Sequence, residues 1–111
     1  MNNLHQANLI ALKVTEKFEQ EIKPKLEKLE YGQAFLNEMK RARNLANRHA
    51  RKLKRMAFKE NDQEPVNLLI AYLETVGEAF DHLYRRENAE AQRLEAEAAR
   101  IYSEFERRFG E

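Results

Sequence analysis

Residues 35–59 read FLNEMKRARNLANRHARKLKRMAFK. Phe35, Met39, Ala42, Ala46, His49, Leu53 and Met56 recur in alternating steps of four and three. Such steps return a side chain to the same side of a helix with 3.6 residues per turn, and no period-two strand pattern fits them. The stretch predicts a helix from about Ala34 to Phe58 whose apolar seam clusters within about 60° of one direction. A helix of this kind depends on covering its stripe, so the rest of the chain must supply partners.

The flanking segments carry the same period. Upstream, Leu4, Ala7, Ala11, Val14, Phe18, Ile22, Leu26 and Leu29 form a stripe. Asn2 or Asn3 can cap its start by accepting a backbone N–H. Pro24 predicts a kink or short break, because proline has no donor and crowds the preceding turn. Gly32 is the expected stop, taking the left-handed conformation that ends helices. Downstream, KENDQEPV (59–66) reads as a loop, with Pro65 at the first position of the next helix.

Beyond Pro65 come Val66, Leu69, Leu73, Val76, Phe80 and Leu83, then, after a slip, Ala91, Leu94, Ala98, Ile101, Phe105 and Phe109. The slip means either a stutter in one long helix or a turn near RRENAE (85–90), where Asn88 could cap a fourth helix. Gly110 closes the pattern. Tyr31, Tyr72, Tyr84 and Tyr102 suit the edge of a core, with rings in and hydroxyls out. The expected fold is all-α: one domain over residues 1–111, an antiparallel bundle of three or four helices. The C-terminal segment alternates Ala with Leu, Ile and Phe, which suits coiled-coil-like contact within the chain or with a second copy. Glu90, Glu97 and Glu104 stand three or four residues from Arg93, Arg100 and Arg107, pairs worth about 0.2–0.5 kcal/mol each on a solvated helix.

Composition agrees. The chain has 111 residues, with three Gly, two Pro and no Cys. A length of this order buries roughly 65% of the unfolded surface. Absence of Cys excludes disulfides and thiolate metal sites and fits a reducing cytoplasm. No apolar run reaches the roughly 18 residues of a membrane span, and MNNLHQANLIALKVTEKF at the start lacks signal-peptide organisation. These features predict a cytoplasmic protein without membrane contact.

Net charge, +1, conceals segregation. Residues 1–39 sum to −1, residues 40–59 to +9 with no acid at all, and residues 60–111 to −7. The nine cations are Lys40, Arg41, Arg43, Arg48, Arg51, Lys52, Lys54, Arg55 and Lys59. On a helical wheel they fall between about 80° and 260° from the seam, a stripe about 30 Å long. Arg presents a planar fork that matches phosphate oxygens. The stripe predicts a non-enzymatic nucleic-acid-binding protein (DNA or RNA) that neutralises backbone phosphates with little base discrimination. Phe58, projecting with the cations, could stack on a base or instead contact Val66. Zinc-finger spacing, a helix-turn-helix signature and an RNP motif are all missing.

A bare cationic stripe also has a structural origin open to it. Cations in the last turns of a helix complement its dipole, and the acidic C-terminal half could neutralise the stripe. The alternative function is a protein–protein interaction module, an adaptor or phage-type inhibitor whose basic helix meets an acidic partner surface. Either role fits a subunit of a larger assembly or a homodimer.

Catalytic chemistry finds no constellation. Ser103, Thr15 and Thr75 have no histidine beside them, and three isolated glycines make no phosphate loop. Glu74, Glu78 and His82 share a helix face, but di-iron bundles use Glu-x-x-His pairs, and the residues three before each His are Asn2, Ala46 and Ala79. A solvated face is expected there, and a hydrogen-bonded core residue at His49. No enzyme activity, cofactor or metal is expected. In profile the chain resembles the small helical subunits that line nucleic acid in RNA-guided effector complexes. It is similar also to small phage-encoded accessory proteins, including inhibitors of such complexes; both likenesses rest on architecture and charge.

Overall fold

A computed structural model describes residues 1–110. Helix α1 spans Leu4–Lys17, continues through a π-helical turn at Phe18–Ile22, and becomes α2 at Lys23–Lys28. Three long helices follow: α3 (Gln33–Arg55), α4 (Glu60–Tyr84) and α5 (Asn88–Phe109). The result is an all-α bundle of four rods measuring 45 × 23 × 21 Å.

Helix α4 is the central rod. It packs against α3, α5 and α1, whereas α3 and α5 do not meet among the described residues. Its inward side chains Val66, Leu69 and Leu73 are wholly buried, each such burial contributing about 1.5–3 kcal/mol. Alanines let neighbours approach: Ala7 and Ala11 on α1, and Ala42, Ala46 and Ala50 on α3, are all buried. At Gly77 the approach is tighter still, and a β-carbon there would collide with Asn47 Oδ1 of α3. Rings fasten the first rod and α5 over α4. Phe18 lies 5.2 Å from Phe80 and Tyr72 lies 5.0 Å from Tyr102, while the Tyr102 hydroxyl donates to Asn8 Oδ1 at 3.1 Å.

The first rod starts at Asn3, whose Oδ1 accepts from the Gln6 N–H at 3.0 Å while Gln6 Oε1 accepts from the Asn3 N–H at 2.8 Å, a reciprocal capping box. Pro24 does not break the rod. The turn before it widens, with the Lys23 N–H reaching back to the Phe18 carbonyl, and the wider turn makes room for the pyrrolidine ring. Gly32 is not a left-handed stop either. Its backbone is extended (φ 170°) and it precedes α3 as N-cap, while the first rod ends with Leu29 as C-cap.

Helix α3 ends at Arg55, short of the expected Phe58, because the Asn2 N–H donates to the Ala57 carbonyl at 3.1 Å and draws Met56–Lys59 into extended backbone. Helix α4 then begins at Glu60, so the expected loop is largely helix and Pro65 is its sixth residue. Proline this near the N-terminus forfeits one hydrogen bond at most, and Glu60 and Asp62 in the first turn favour the helix dipole. Two helices, not one, occupy the C-terminal half. The break is a Schellman turn: the Arg86 N–H bonds the Leu83 carbonyl at 3.0 Å and the Glu87 N–H bonds the His82 carbonyl at 2.8 Å. Arg86 adopts φ 65° there, and its guanidinium lies 4.3 Å from the Tyr31 ring centroid. Asn88 is the first residue of α5, and Glu87 occupies the N-cap without a side-chain cap.

Candidate functional site

The buried arc of α3 is wider than its expected seam. Met39, Ala42, Ala46 and Leu53 are buried, and so are Leu45, Ala50 and Glu38, while Phe35, His49 and Met56 are only half-buried. Helix α3 meets two neighbours, α4 and the first rod, and covering both requires more than a narrow stripe. The remaining side faces water. Lys40, Arg41, Arg48, Arg51, Lys52, Lys54 and Arg55 are all exposed on it. From Lys40 to Arg55 it runs about 22 Å at 1.5 Å per residue.

Two of the nine cations lie elsewhere. Lys59 is off the helix, exposed at the N-cap of α4. Arg43 is turned into the α3–α4 contact, with its Nη1 2.9 Å from Asp81 Oδ1 and its guanidinium 5.9 Å from the Tyr84 ring centroid.

Among the described residues, carboxylates occupy three of the nine. Besides Arg43, Arg41 pairs with Glu38 at 3.0 Å and Lys54 with Glu74 at 2.8 Å. Glu38, its side chain 5% exposed, also holds Lys25 at 3.1 Å. Among the described residues, Lys40, Arg48, Arg51, Lys52, Arg55 and Lys59 have no carboxylate within 4.0 Å. The acidic half has little reach toward them. Helix α5 sits away from α3 and matches its own charges: Arg93 with Glu90 and Glu97, Arg107 and Arg108 with Glu104. Arg108 also pairs with Glu64 at the start of α4.

The first rod adds a cation that charge counting overlooked. Lys17 lines a shallow depression of about 440 Å³ between α1 and α3, together with Asn37, Lys40, Arg41, Asn44, Leu45 and Arg48. Lys17 belongs to a segment of balanced charge, and only folding sets it beside the stripe. Phe58 moves the opposite way. It lies in the extended connector, half-buried against the core, so the wheel that aligned it with the cations does not apply.

Other candidates are engaged locally. His49 Nδ1–H donates to the Leu45 carbonyl at 2.8 Å, on a half-buried ring. Glu74 is bound to Lys54 and His82 Nδ1 stands 3.3 Å from Glu87, so Glu74, Glu78 and His82 do not converge; no metal-holding cluster of three or more His, Asp or Glu forms among the described residues. Thr15 shares a 2.7 Å hydrogen bond with the Tyr72 hydroxyl, and Tyr72 itself is buried rather than at the core edge. An apolar recess of about 320 Å³ lies between the π turn, α4 and α5, away from α3. On its rim a hydrogen bond to Glu19 raises the Lys23 pKa against the opposing effect of burial. No helix among the described residues is long and apolar enough to cross a membrane.

Comparison of the chain with known protein families, with curated proteins and with solved structures finds no match.

Proposed function

We propose that this chain is a non-enzymatic nucleic-acid-binding protein that grips the phosphate backbone through the outer face of α3 and serves as a subunit of a larger assembly. One observation carries the proposal: Lys40, Arg48, Arg51, Lys52 and Arg55 share an exposed helical face and, among the described residues, are left without carboxylate partners. Clustered unpaired cations repel one another, whereas on a polyanion they release condensed counterions. Dipole compensation accounts for Lys52 to Arg55 but not for Lys40 or Arg48, which stand further from the helix end. With no aromatic side chain on the face, base stacking contributes nothing and sequence discrimination is weak.

Filter binding at low salt with single-stranded and duplex oligonucleotides tests the proposal; failure to form any complex removes it. Replacing Arg48, Arg51 and Arg55 together by Glu abolishes binding and leaves helix content intact. The same lack of an aromatic platform suits a second partner, an acidic protein surface. A partner that survives nuclease treatment, together with failed oligonucleotide binding, selects that alternative.

A further inference from the structure

The depression between α1 and α3 differs from the rest of the cationic face in being lined from two helices. Lys17 contributes from α1, Lys40, Asn44 and Arg48 from successive turns of α3, and the buried Leu45 also lines it. Asn37 and Asn44 both line it. Asn37 Oδ1 is occupied by Gln33 Nε2 at 2.8 Å, and Asn44 Oδ1 by the Arg43 guanidinium at 3.3 Å. Their carbonyl ends being engaged, the amide N–H groups remain for a ligand. Among the described residues, no acidic side chain lines the depression. Glu38, the nearest acid on α3, is buried and divided between Lys25 and Arg41. Glu21 stands 3.9 Å from Lys17 with both side chains about half exposed, a pairing weak enough for a ligand to displace. The polar hollow between α3 and α4 shows the contrast: Glu78 and Asp81 line it and disfavour an anion.

We infer that this depression seats a single phosphate group, with Lys17, Lys40 and Arg48 supplying charge and the amides of Asn37 and Asn44 supplying oriented donors. The inference rests on the polyanion reading of α3 and deepens it. The outer face neutralises phosphates diffusely, whereas the depression fixes one of them in place and so sets where the strand crosses from α3 toward α1. A phosphodiester of a nucleic acid and a free phosphate share the required chemistry: a compact anion with several acceptor oxygens.

Proton–nitrogen NMR of the full chain tests this by following the side-chain amides of Asn37 and Asn44. Three probes are titrated separately at low salt: a single-stranded oligonucleotide, a duplex, and inorganic phosphate. Both amides shift with an oligonucleotide. Lys17→Gln, a change at a partly exposed side chain, weakens oligonucleotide binding roughly threefold to tenfold, the loss of one charge-assisted contact. Lys23→Gln, at the unrelated recess, leaves binding unchanged. Oligonucleotide binding with unmoved amides and an indifferent Lys17→Gln overturns the inference while the polyanion reading stands. If no oligonucleotide binds but inorganic phosphate shifts both amides, and Arg48→Gln abolishes that response, the seat is upheld with free phosphate as its ligand and the nucleic-acid reading falls. Silence from all three probes removes both.

Discussion

Arg51 and Arg43 lie two helical turns apart in one basic run, and the proposed polyanion binding gives them opposite roles. Arg51 is exposed and unpaired among the described residues, whereas the Arg43 side chain is 23% exposed and bonded to Asp81 at 2.9 Å. With about five unpaired cations of α3 each meeting a phosphate, log K falls against log[salt] with a slope of about −4.5 on duplex DNA and about −3.5 on a single strand. Between about 50 and 200 mM salt, the duplex slope costs about 500-fold in affinity. Arg51→Gln removes one contact, so its slope is about −3.6 and the loss over the same interval about 150-fold. Arg43→Gln keeps the slope near −4.5. Its effect is on stability instead, a loss of order 1 kcal/mol, limited because Asp81 retains Arg85 at 3.0 Å. Fluorescence anisotropy over a salt series reads the slopes and urea titration the stability. Equal slopes for the two variants, or an Arg51→Gln slope identical to that of the unmodified chain, would refute the division into engaged and free cations.

Three further expectations concern the scaffold. Gly77→Ala gains about 1 kcal/mol of helix propensity but meets Asn47, so it is net destabilising by up to about 2 kcal/mol. In an Asn47→Ala background it becomes stabilising, and a double-mutant cycle by urea denaturation gives a coupling of about 1–3 kcal/mol. Arg86→Gly relieves the positive φ and loses the Tyr31 contact, leaving stability nearly unchanged. Arg86→Ala keeps the backbone cost of about 1 kcal/mol and loses the contact, so it melts below the Gly variant. Glu38→Leu replaces a buried carboxylate by an apolar side chain, changes stability by no more than about 1 kcal/mol, and releases Arg41, steepening the salt slope of duplex binding by about 0.9.

The all-helical bundle was legible because its signals are local. Steps of three and four, the Asn3 cap and the scarcity of Gly and Pro each act within a turn or two of chain. Features that escaped depend on distant residues. Helix α3 stops at Arg55 because Asn2 pairs with the Ala57 carbonyl, and the α4–α5 turn is accompanied by Tyr31 against Arg86, each contact spanning 55 positions. No local pattern announces either. The same division runs through the candidate site. Seven exposed cations on α3 could be placed from the wheel. Glu38 beside Arg41 follows the i,i+3 rule and was open to sequence reading. The Arg43–Asp81 pair and the arrival of Lys17 were not, since helix pairing alone produces them. Acidity, too, sits differently from its tally: α4 carries six acids and no Lys or Arg, α5 five acids and four bases, so the negative surplus belongs to the central rod.

The widened turn at Phe18–Ile22 bears on how this chain tolerates changes in length. Inward residues Val14, Phe18, Ile22 and Leu26 follow one another at intervals of four, a spacing that would drift around an ordinary helix by about 40° at each step. The π-helical turn absorbs that drift as a single surplus residue. Excising exposed Gln20 would restore intervals of four, three, four and three through Leu29, so the deletion shortens the rod yet leaves the same side chains directed inward. A one-residue deletion ordinarily destroys the register of a packed helix; here the inward register survives it, and the cost falls instead on Pro24, which loses the room the wide turn gives its ring, about 3 kcal/mol.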